Sequence, residues 1–336
     1  MPLQANEISP NGAGLTPPVV VLAPMAGVTD AAVRALGRRF GATETVGEML
    51  HSAPRLRSTT KGRTRAVQRD EPSPRIVQLL GNDPAELAAA ARHQVAQGAE
   101  IIDFNLGCPA KKVCRKAAGS ALLVEPDLVR ACLEALVDAV DVPVSAKIRL
   151  GPRLDTINVE TIASIAAAAG VQRLAVHARS RACAYRGPAH WALAAPAMPV
   201  TPGPNLINGD ILDGRDAMTA LADSGAQGVM IGRAALGQPW LLREIAAELA
   251  GHPQPQRPCG AERLMILGEL LADIAEIYGQ KAGARIARKH IDAFGTAAQR
   301  EGLLSPAQFK EQRLGWIQAD TIDEQRRHLS RQKWSA

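Results

Sequence analysis

Residues 101–109 read Ile-Ile-Asp-Phe-Asn-Leu-Gly-Cys-Pro. A short, largely apolar run of this kind suits a strand buried on both faces. Gly107 lets the backbone turn sharply after it, and Pro109 fixes the way out. Cys108 is thereby presented just past the C-terminal end of a strand. The same texture recurs along the chain. Val-Val-Val-Leu-Ala at 19–23 ends at Pro24, and another run ends near Thr45. Further runs occupy 76–80, 144–148, 174–177, 205–208 and 228–231. Helix-like segments lie between them. Residues 84–97 open with Asn82-Asp83-Pro84, an N-terminal cap with proline in the first turn. Residues 126–139, 158–169 and 214–223 also have helical composition.

Eight strand candidates alternating with helices predict an α/β chain folded as a (β/α)8 TIM barrel. An open doubly wound sheet would more often show G-x-G-x-x-G after its first strand. Here Pro24-Met25-Ala26-Gly27 follows, which cannot serve as that loop. The texture changes after Leu249. Gly251 to Gly260 is rich in Pro, Gly and Gln and reads as a linker, and the chain from Ala261 onward reads as all-helical. The expected organisation is a segment 1–18, a barrel 19–249, and a linker with a small helical domain 250–336.

Composition sets the outer bounds. The chain has 336 residues, 46% of them hydrophobic, enough for a large core. Aromatics are only 3%, so that core must be built from Ala, Val, Leu and Ile. A net charge of +6 leans toward a polyanionic partner, and the tail is the more basic part per residue. The five cysteines are Cys108, Cys114, Cys132, Cys183 and Cys259, with no C-x-x-C pair. Neither a disulfide framework nor a metal site is expected, and a reducing, cytoplasmic setting fits best. The first 18 residues lack an apolar core of the signal-peptide kind, and no run is long enough to span a bilayer, so no membrane partner is expected.

In a (β/α)8 barrel the active site lies at the C-terminal ends of the strands. Polar or special residues cluster at seven of the predicted ends. They are Pro24-Met25, Gln78, Asn105 with Cys108, Lys147 with Arg149, His177, Asn208-Gly209-Asp210 and Gly232-Arg233. A free thiol such as Cys108 is mostly protonated at neutral pH, with an ordinary pKa of about 8.5, and can donate a proton. A buried structural cysteine is the plainer reading of it. For Cys114, Cys132, Cys183 and Cys259 that plainer reading prevails, since none has a partner at useful spacing. Lys147 falls inside a buried strand and needs an anionic partner. A reduced flavin ring, negative at its N1–C2=O edge, would supply one; a barrel carboxylate such as Asp103 is the alternative. His177 is either a satisfied packing histidine or a second donor to the same ring edge. Asn208-Gly209-Asp210 and Gly232-Arg233 end the last two strands, where such barrels commonly bind phosphate. Gly lets backbone approach the oxygens and Arg233 can pair with them bidentately.

Two basic clusters belong to loops expected at the same mouth. One holds Arg55, Arg57, Lys61, Arg63, Arg65 and Arg69 against only Asp70; the other holds Lys111, Lys112, Arg115 and Lys116. Either is a solvated charge run or a contact for a phosphate backbone, and their place around Cys108 favours the latter. In the tail, Lys281, Arg285 and Arg288 would share one helix face.

These stretches resemble the tRNA-dihydrouridine synthases. The matching segments are Ala-Pro-Met-Ala-Gly-Val-Thr-Asp (23–30), Gln78 with Leu-Leu-Gly, Asn-Leu-Gly-Cys-Pro-Ala-Lys-Lys-Val (105–113) and Ala-Gly-Ser-Ala-Leu-Leu (118–123). Lys-Ile-Arg (147–149), His177 with Arg179, Asn-Gly-Asp (208–210) and Ile-Gly-Arg-Ala (231–234) continue the match, which runs from about Pro18 to Arg-Lys-His (288–290). The 108–113 run and the Ala-Arg-Lys-His segment are similar to the bacterial B subfamily. The resemblance implies FMN held by Pro24, Met25, Ala26, Gln78, Lys147, His177, Asn208, Gly209, Asp210, Gly232 and Arg233. It implies NADPH, or NADH, as reductant and a uridine of the tRNA D-loop as substrate. Hydride would reach C6 of the uracil, and Cys108 would protonate C5. Asn105, Arg149 and Arg179 would bind the base, which must leave the folded tRNA to reach the barrel mouth. The chain departs from the family pattern at Gly151-Pro152, at Cys114 and at Ile291-Asp292-Ala293-Phe294. Those positions bear on which uridine is chosen rather than on the reaction. Two other functions compete: an FMN barrel acting on a free pyrimidine, like the dihydroorotate dehydrogenases, and a non-catalytic RNA-binding module. The first leaves the basic loops and tail unexplained. The second leaves Cys108 and Lys147 unexplained.

Overall fold

A computed structural model describes residues 19–57, 59–66 and 71–334. The expected segment 1–18 lies outside the described residues, as do Arg69 and Asp70 and the side chains of Arg57, Lys61 and Arg63. Nine strands form one parallel sheet: β1 (Val19–Leu22), β2 (Glu44–Val46), β3 (Leu50–His51), β4 (Arg75–Leu80), β5 (Ile101–Asn105), β6 (Val144–Arg149), β7 (Arg173–His177), β8 (Leu206–Asn208) and β9 (Gly228–Ile231). β1 pairs with both β2 and β9, which closes the barrel. β2 and β3 both pair with β4, so nine strands make eight staves. The sequence predicts one strand at the second stave. It is split because Glu48 leaves the ladder to accept the Gly27 N–H and to pair with Arg65 at 3.2 Å.

Helices cover the outside. Residues Pro84–Ala96 form the helix expected there, its first turn capped by Asp83, which accepts from the Glu86 N–H at 2.8 Å. Pro126–Val137, Val159–Ala168 and Gly214–Ser224 follow, the last capped by Asp213 and ended by Gly225 at φ +71°. Their apolar faces and the outward faces of the strands merge into one continuous core.

The lumen has its own smaller core. Val21, Ala23, Val46, Ile76, Ala175, Leu206 and Met230 point inward and form a separate apolar cluster. The strand period of two places the polar residues of the same runs on that inward face. At the strand starts, Arg173 and Glu44 pair across the barrel floor at 2.6 Å. The lumen is thus sealed below, apolar in the middle and polar above.

Beyond the extended stretch 252–259 the chain is helical: Gly260–Tyr278, Gln280–Arg300, Pro306–Gln318 and Ile322–Leu329. The tail is joined to the barrel through aromatic and ionic contacts. Trp240 meets Phe40 at 6.3 Å and Phe294 at 6.1 Å, edge to face. The Arg263 guanidinium lies 4.4 Å from the Trp240 ring centre and also pairs with Glu301. No helix among the described residues is long and apolar enough to cross a membrane.

Candidate active site at the barrel mouth

A cavity of about 650 Å³ opens at the C-terminal ends of the strands. The fifteen candidate acid, flavin-binding and base-binding residues all line it: Pro24, Met25, Ala26, Gln78, Asn105, Cys108, Lys147, Arg149, His177, Arg179, Asn208, Gly209, Asp210, Gly232 and Arg233. They come together because each sits at or just past the end of an inward-facing stave. Among the described residues no group of three or more His, Cys, Asp and Glu could hold a metal ion.

Cys108 is half-buried and sits on a tightly held loop. The Asn105 side-chain oxygen accepts the N–H groups of Gly107 at 3.1 Å and Cys108 at 2.9 Å. Arg149 Nε donates to the Gly107 carbonyl at 2.6 Å, and Ser120 Oγ donates to the Cys108 carbonyl at 2.8 Å. Burial is the largest influence on the thiol and pushes its pKa up, so it is protonated at neutral pH. Among the other cysteines, Cys132 is buried, Cys183 accepts from Ser180 Oγ at 3.2 Å and Cys259 is exposed. The Cys114 sulfur lies 3.7 Å from the Cys108 carbonyl and 3.8 Å from Ser120 Oγ, a structural contact behind the Cys108 loop. The short helix Lys111–Cys114 folds it back onto the loop, which spacing alone does not reveal.

Lys147 is 8% exposed. Its Nζ donates to Asn208 Oδ1 at 2.9 Å, while the Asn208 amide donates to the Met230 carbonyl at 2.6 Å. The alternative partner Asp103 is already occupied by Gln78 and Ser145, each at 2.7 Å. Desolvation, helped by the positive Arg149, therefore lowers the Lys147 pKa to about 7. An ammonium with one neutral acceptor, facing a cavity, is suited to an anionic ligand edge. His177 is held neutral chiefly by burial and then by Lys147 and neighbouring guanidiniums. Its Nε2 faces Arg179 Nη1 at 3.3 Å. Arginine can only donate, so Nε2 accepts and the proton is on Nδ1.

The β8–β9 side is built differently. Gly209 has φ +115°, and a Cβ there would stand 3.0 Å from the His177 ring. A Cβ on Gly232 would meet nothing nearer than 3.8 Å, so that backbone faces open space. The Arg233 side chain is 60% exposed and lies 3.9 Å from Asp210, too far for a hydrogen bond. Asp210 is instead bonded to Arg179 and to the Ala189 N–H. The open Gly232 backbone beside a guanidinium without a hydrogen-bonded partner is a donor set that fits a phosphate.

Three further lining residues carried no sequence signal that singled them out. Tyr185 has Arg149 and Arg233 at 5.4 and 5.1 Å from its ring centre. Met49 comes from the break between β2 and β3, and Arg300 from the tail. The tail also touches the Pro24–Gly27 loop directly. Lys289 donates to the Gly27 carbonyl. On the same helix Lys281 and Arg285 are exposed, whereas Arg288 is half-buried. A second cavity of about 330 Å³ shares Met49 with the first and is lined by His51, Arg65, Lys112 and Lys116. Parts of both loop clusters therefore converge beside Cys108.

The fold is a (β/α)8 barrel with a candidate active site at the C-terminal strand ends. A model of the dihydrouridine synthase (Dus) family matches residues 21–313, and the chain belongs to that family. It is 47% identical over 273 residues to tRNA-dihydrouridine synthase B of Yersinia pestis, covering 81% of this chain and 85% of that one. It is 48% identical to the protein of the same name from Pseudomonas aeruginosa, covering 81% and 82%. With that from Escherichia coli K12 the identity is 46%, covering 81% and 85%.

Proposed function

We propose that this enzyme reduces a uridine in the D-loop of tRNA to 5,6-dihydrouridine, with Cys108 as the acid. The observation that carries the reading is a protonated thiol opening onto the same cavity as a buried lysine whose hydrogen bond goes to an amide rather than a carboxylate, and a glycine-arginine cradle. FMN suits that cavity. Lys147 and His177 Nδ1–H would hold its N1–C2=O edge. The Asn208–Asp210 turn, Gly232 and Arg233 would hold its phosphate, with Pro24, Met25, Ala26 and Gln78 along the ring. When bound and reduced by NADPH or NADH, FMN supplies the hydride that reaches C6 of the uracil.

The remaining work falls to the chain's own residues. The Cys108 S–H bond breaks as its proton goes to C5, and the thiolate left behind is reprotonated from water. Arg149 and Lys147 lie near enough to favour that thiolate. Asn105, Arg149 and Arg179 bind the base. The arginines spend most of their donors on the carbonyls of Gly107, Ser180, Ala184 and Gly187 and on Asp210, so they also shape the wall it rests on. Lys112 and Lys116 at the second cavity, and Lys281 and Arg285 on the tail, would grip the RNA backbone. Residues 19–249 then serve as the catalytic barrel and 250–336 as the linker and RNA-binding part. A free essential thiol suits a cytoplasmic setting.

The test is Cys108→Ala. It should retain flavin and oxidise NADPH, yet leave tRNA without dihydrouridine by mass spectrometry in a strain carrying only this variant. Normal dihydrouridine there removes the acid role. Turnover of free uracil or orotate at rates comparable with tRNA would move the assignment to a free-pyrimidine reductase.

A further inference from the structure

The polar residues behind Cys108 form a chain with a direction. Asp103 is buried in the lumen, where Oδ1 accepts from Ser145 Oγ and Oδ2 from Gln78 Nε2, both at 2.7 Å. Gln78 Oε1 accepts from Asn105 Nδ2 at 2.7 Å. Asn105 Oδ1 then accepts the N–H groups of Gly107 and Cys108 at 3.1 and 2.9 Å. Gln78, Asp103 and Ser145 are direct cross-strand partners on β4, β5 and β6, so rigid strand backbone carries the relay up to Asn105.

Neither end of this chain can reverse. A peptide N–H only donates. Burial raises the Asp103 pKa, yet its carboxyl keeps an oxygen that only accepts in either protonation state, with Ser145 Oγ able to take any proton on the other. The two amides between them could each sit either way round by shape alone. With both ends fixed, one arrangement satisfies every link. Turning the Asn105 amide over would set its NH2 against two peptide N–H groups, and the loop would have to move away. The other anchors do not replace this one. Arg149 and Ser120 hold carbonyl oxygens of Gly107 and Cys108, leaving the N–H side to Asn105.

We propose that Asp103 is a positioning residue for Cys108: by accepting from Gln78 it sets both amides, and so holds the thiol on the cavity. This deepens the reading of Cys108 as the acid and rests on it. Asp103 itself touches no substrate.

The experiment uses flavin-loaded protein carrying Asp103→Leu, which removes the acceptor, or Asp103→Asn, which can still accept from Gln78 and donate to Ser145 Oγ. Two quantities are read: the pH profile of Cys108 alkylation by iodoacetamide, followed on its peptide by mass spectrometry, and kcat and KM for tRNA. In the leucine variant we expect Cys108 alkylation to speed up about fivefold or more and kcat to fall about thirtyfold, while KM stays within about threefold. The asparagine variant should restore both to within about threefold of wild type. A flavin-bound leucine variant with unchanged alkylation and kcat overturns the proposal, as does an asparagine variant as damaged as the leucine one. If the leucine variant does not fold, Gln78→Met breaks the next link while Ser145 still holds Asp103, and normal alkylation there overturns the proposal equally. Failure of the acid role itself is separate, since only Cys108→Ala with normal dihydrouridine shows it.

Discussion

The two arcs of the barrel rim are built on opposite principles. Along β4–β6 the polar groups are spent on one another: Gln78 and Asn105 use both ends of their amides, and Arg149 donates to three carbonyls. At the ends of β8 and β9, the Gly232 backbone faces open space, the Gly209 carbonyl accepts from Trp191 Nε1 at 2.8 Å, and Arg233 has no hydrogen-bonded partner among the described residues. On the proposed reading, the group that gives up a proton is held by a satisfied network, and the groups that would hold a ligand keep donors unspent. Lys147 belongs to both arcs, since it stands on β6 and donates to Asn208 on β8.

Substitutions on the two arcs should separate stability from ligand binding. The largest effect is expected from Arg149→Met, which strands the carbonyls of Gly107, Ser180 and Ala184. Leaving buried acceptors unmatched costs on the order of 3 kcal/mol or more. Calorimetry should show Tm lowered by about 6–12 °C, with dihydrouridine formation lost. An unchanged Tm would break the contrast between the arcs. Gly209→Ala comes next: a side chain at φ +115° and a 3.0 Å contact with His177 should cost about 1–3 kcal/mol. Flavin should be released more readily on dilution, read by fluorescence. Arg233→Ala should weaken flavin about tenfold, the low end for a charge-assisted hydrogen bond because the side chain is exposed. Its unliganded stability should stay within about 0.5 kcal/mol of wild type; a large loss of stability would show Arg233 to be structural.

The smallest and sharpest test is the pH dependence of flavin binding at Lys147. Its pKa in the folded protein is lowered to about 7. Between that value and the ordinary lysine range the unfolded chain binds the extra proton, so this group favours unfolding at neutral pH and ceases to as pH rises. An anionic ligand edge does the reverse and raises the lysine pKa. Affinity for reduced flavin should therefore be greatest below about pH 7 and fall above it. Lys147→Met should lose that slope relative to wild type. Equal slopes in both proteins would mean that Lys147 does not meet an anion.

Much of the site was legible because a parallel barrel puts strand ends and active site in one place. Once the alternation of strands and helices is read, Gln78, Asn105, Cys108, Lys147, His177, Asn208 and Gly232 fall on one rim without further information. Other features were not legible, for particular reasons. Glu48 breaks the second stave by bonding a loop that is remote in sequence. Cys114 reaches Cys108 only because a one-turn helix folds back. Arg300 and Lys289 arrive from a tail whose docking on the barrel no local pattern encodes.

Local chemistry along the chain settled the barrel and the strand ends and singled out Cys108 as the candidate thiol, because periodicity, turn residues and caps act over a few neighbours. Tertiary structure alone decided what each polar group is bonded to. Asp103 serves Gln78 and not Lys147, and Asn105 faces the backbone of Cys108. Hydrogen bonds across a lumen depend on which staves meet there and on which way each amide is turned, and closure of the whole barrel sets both.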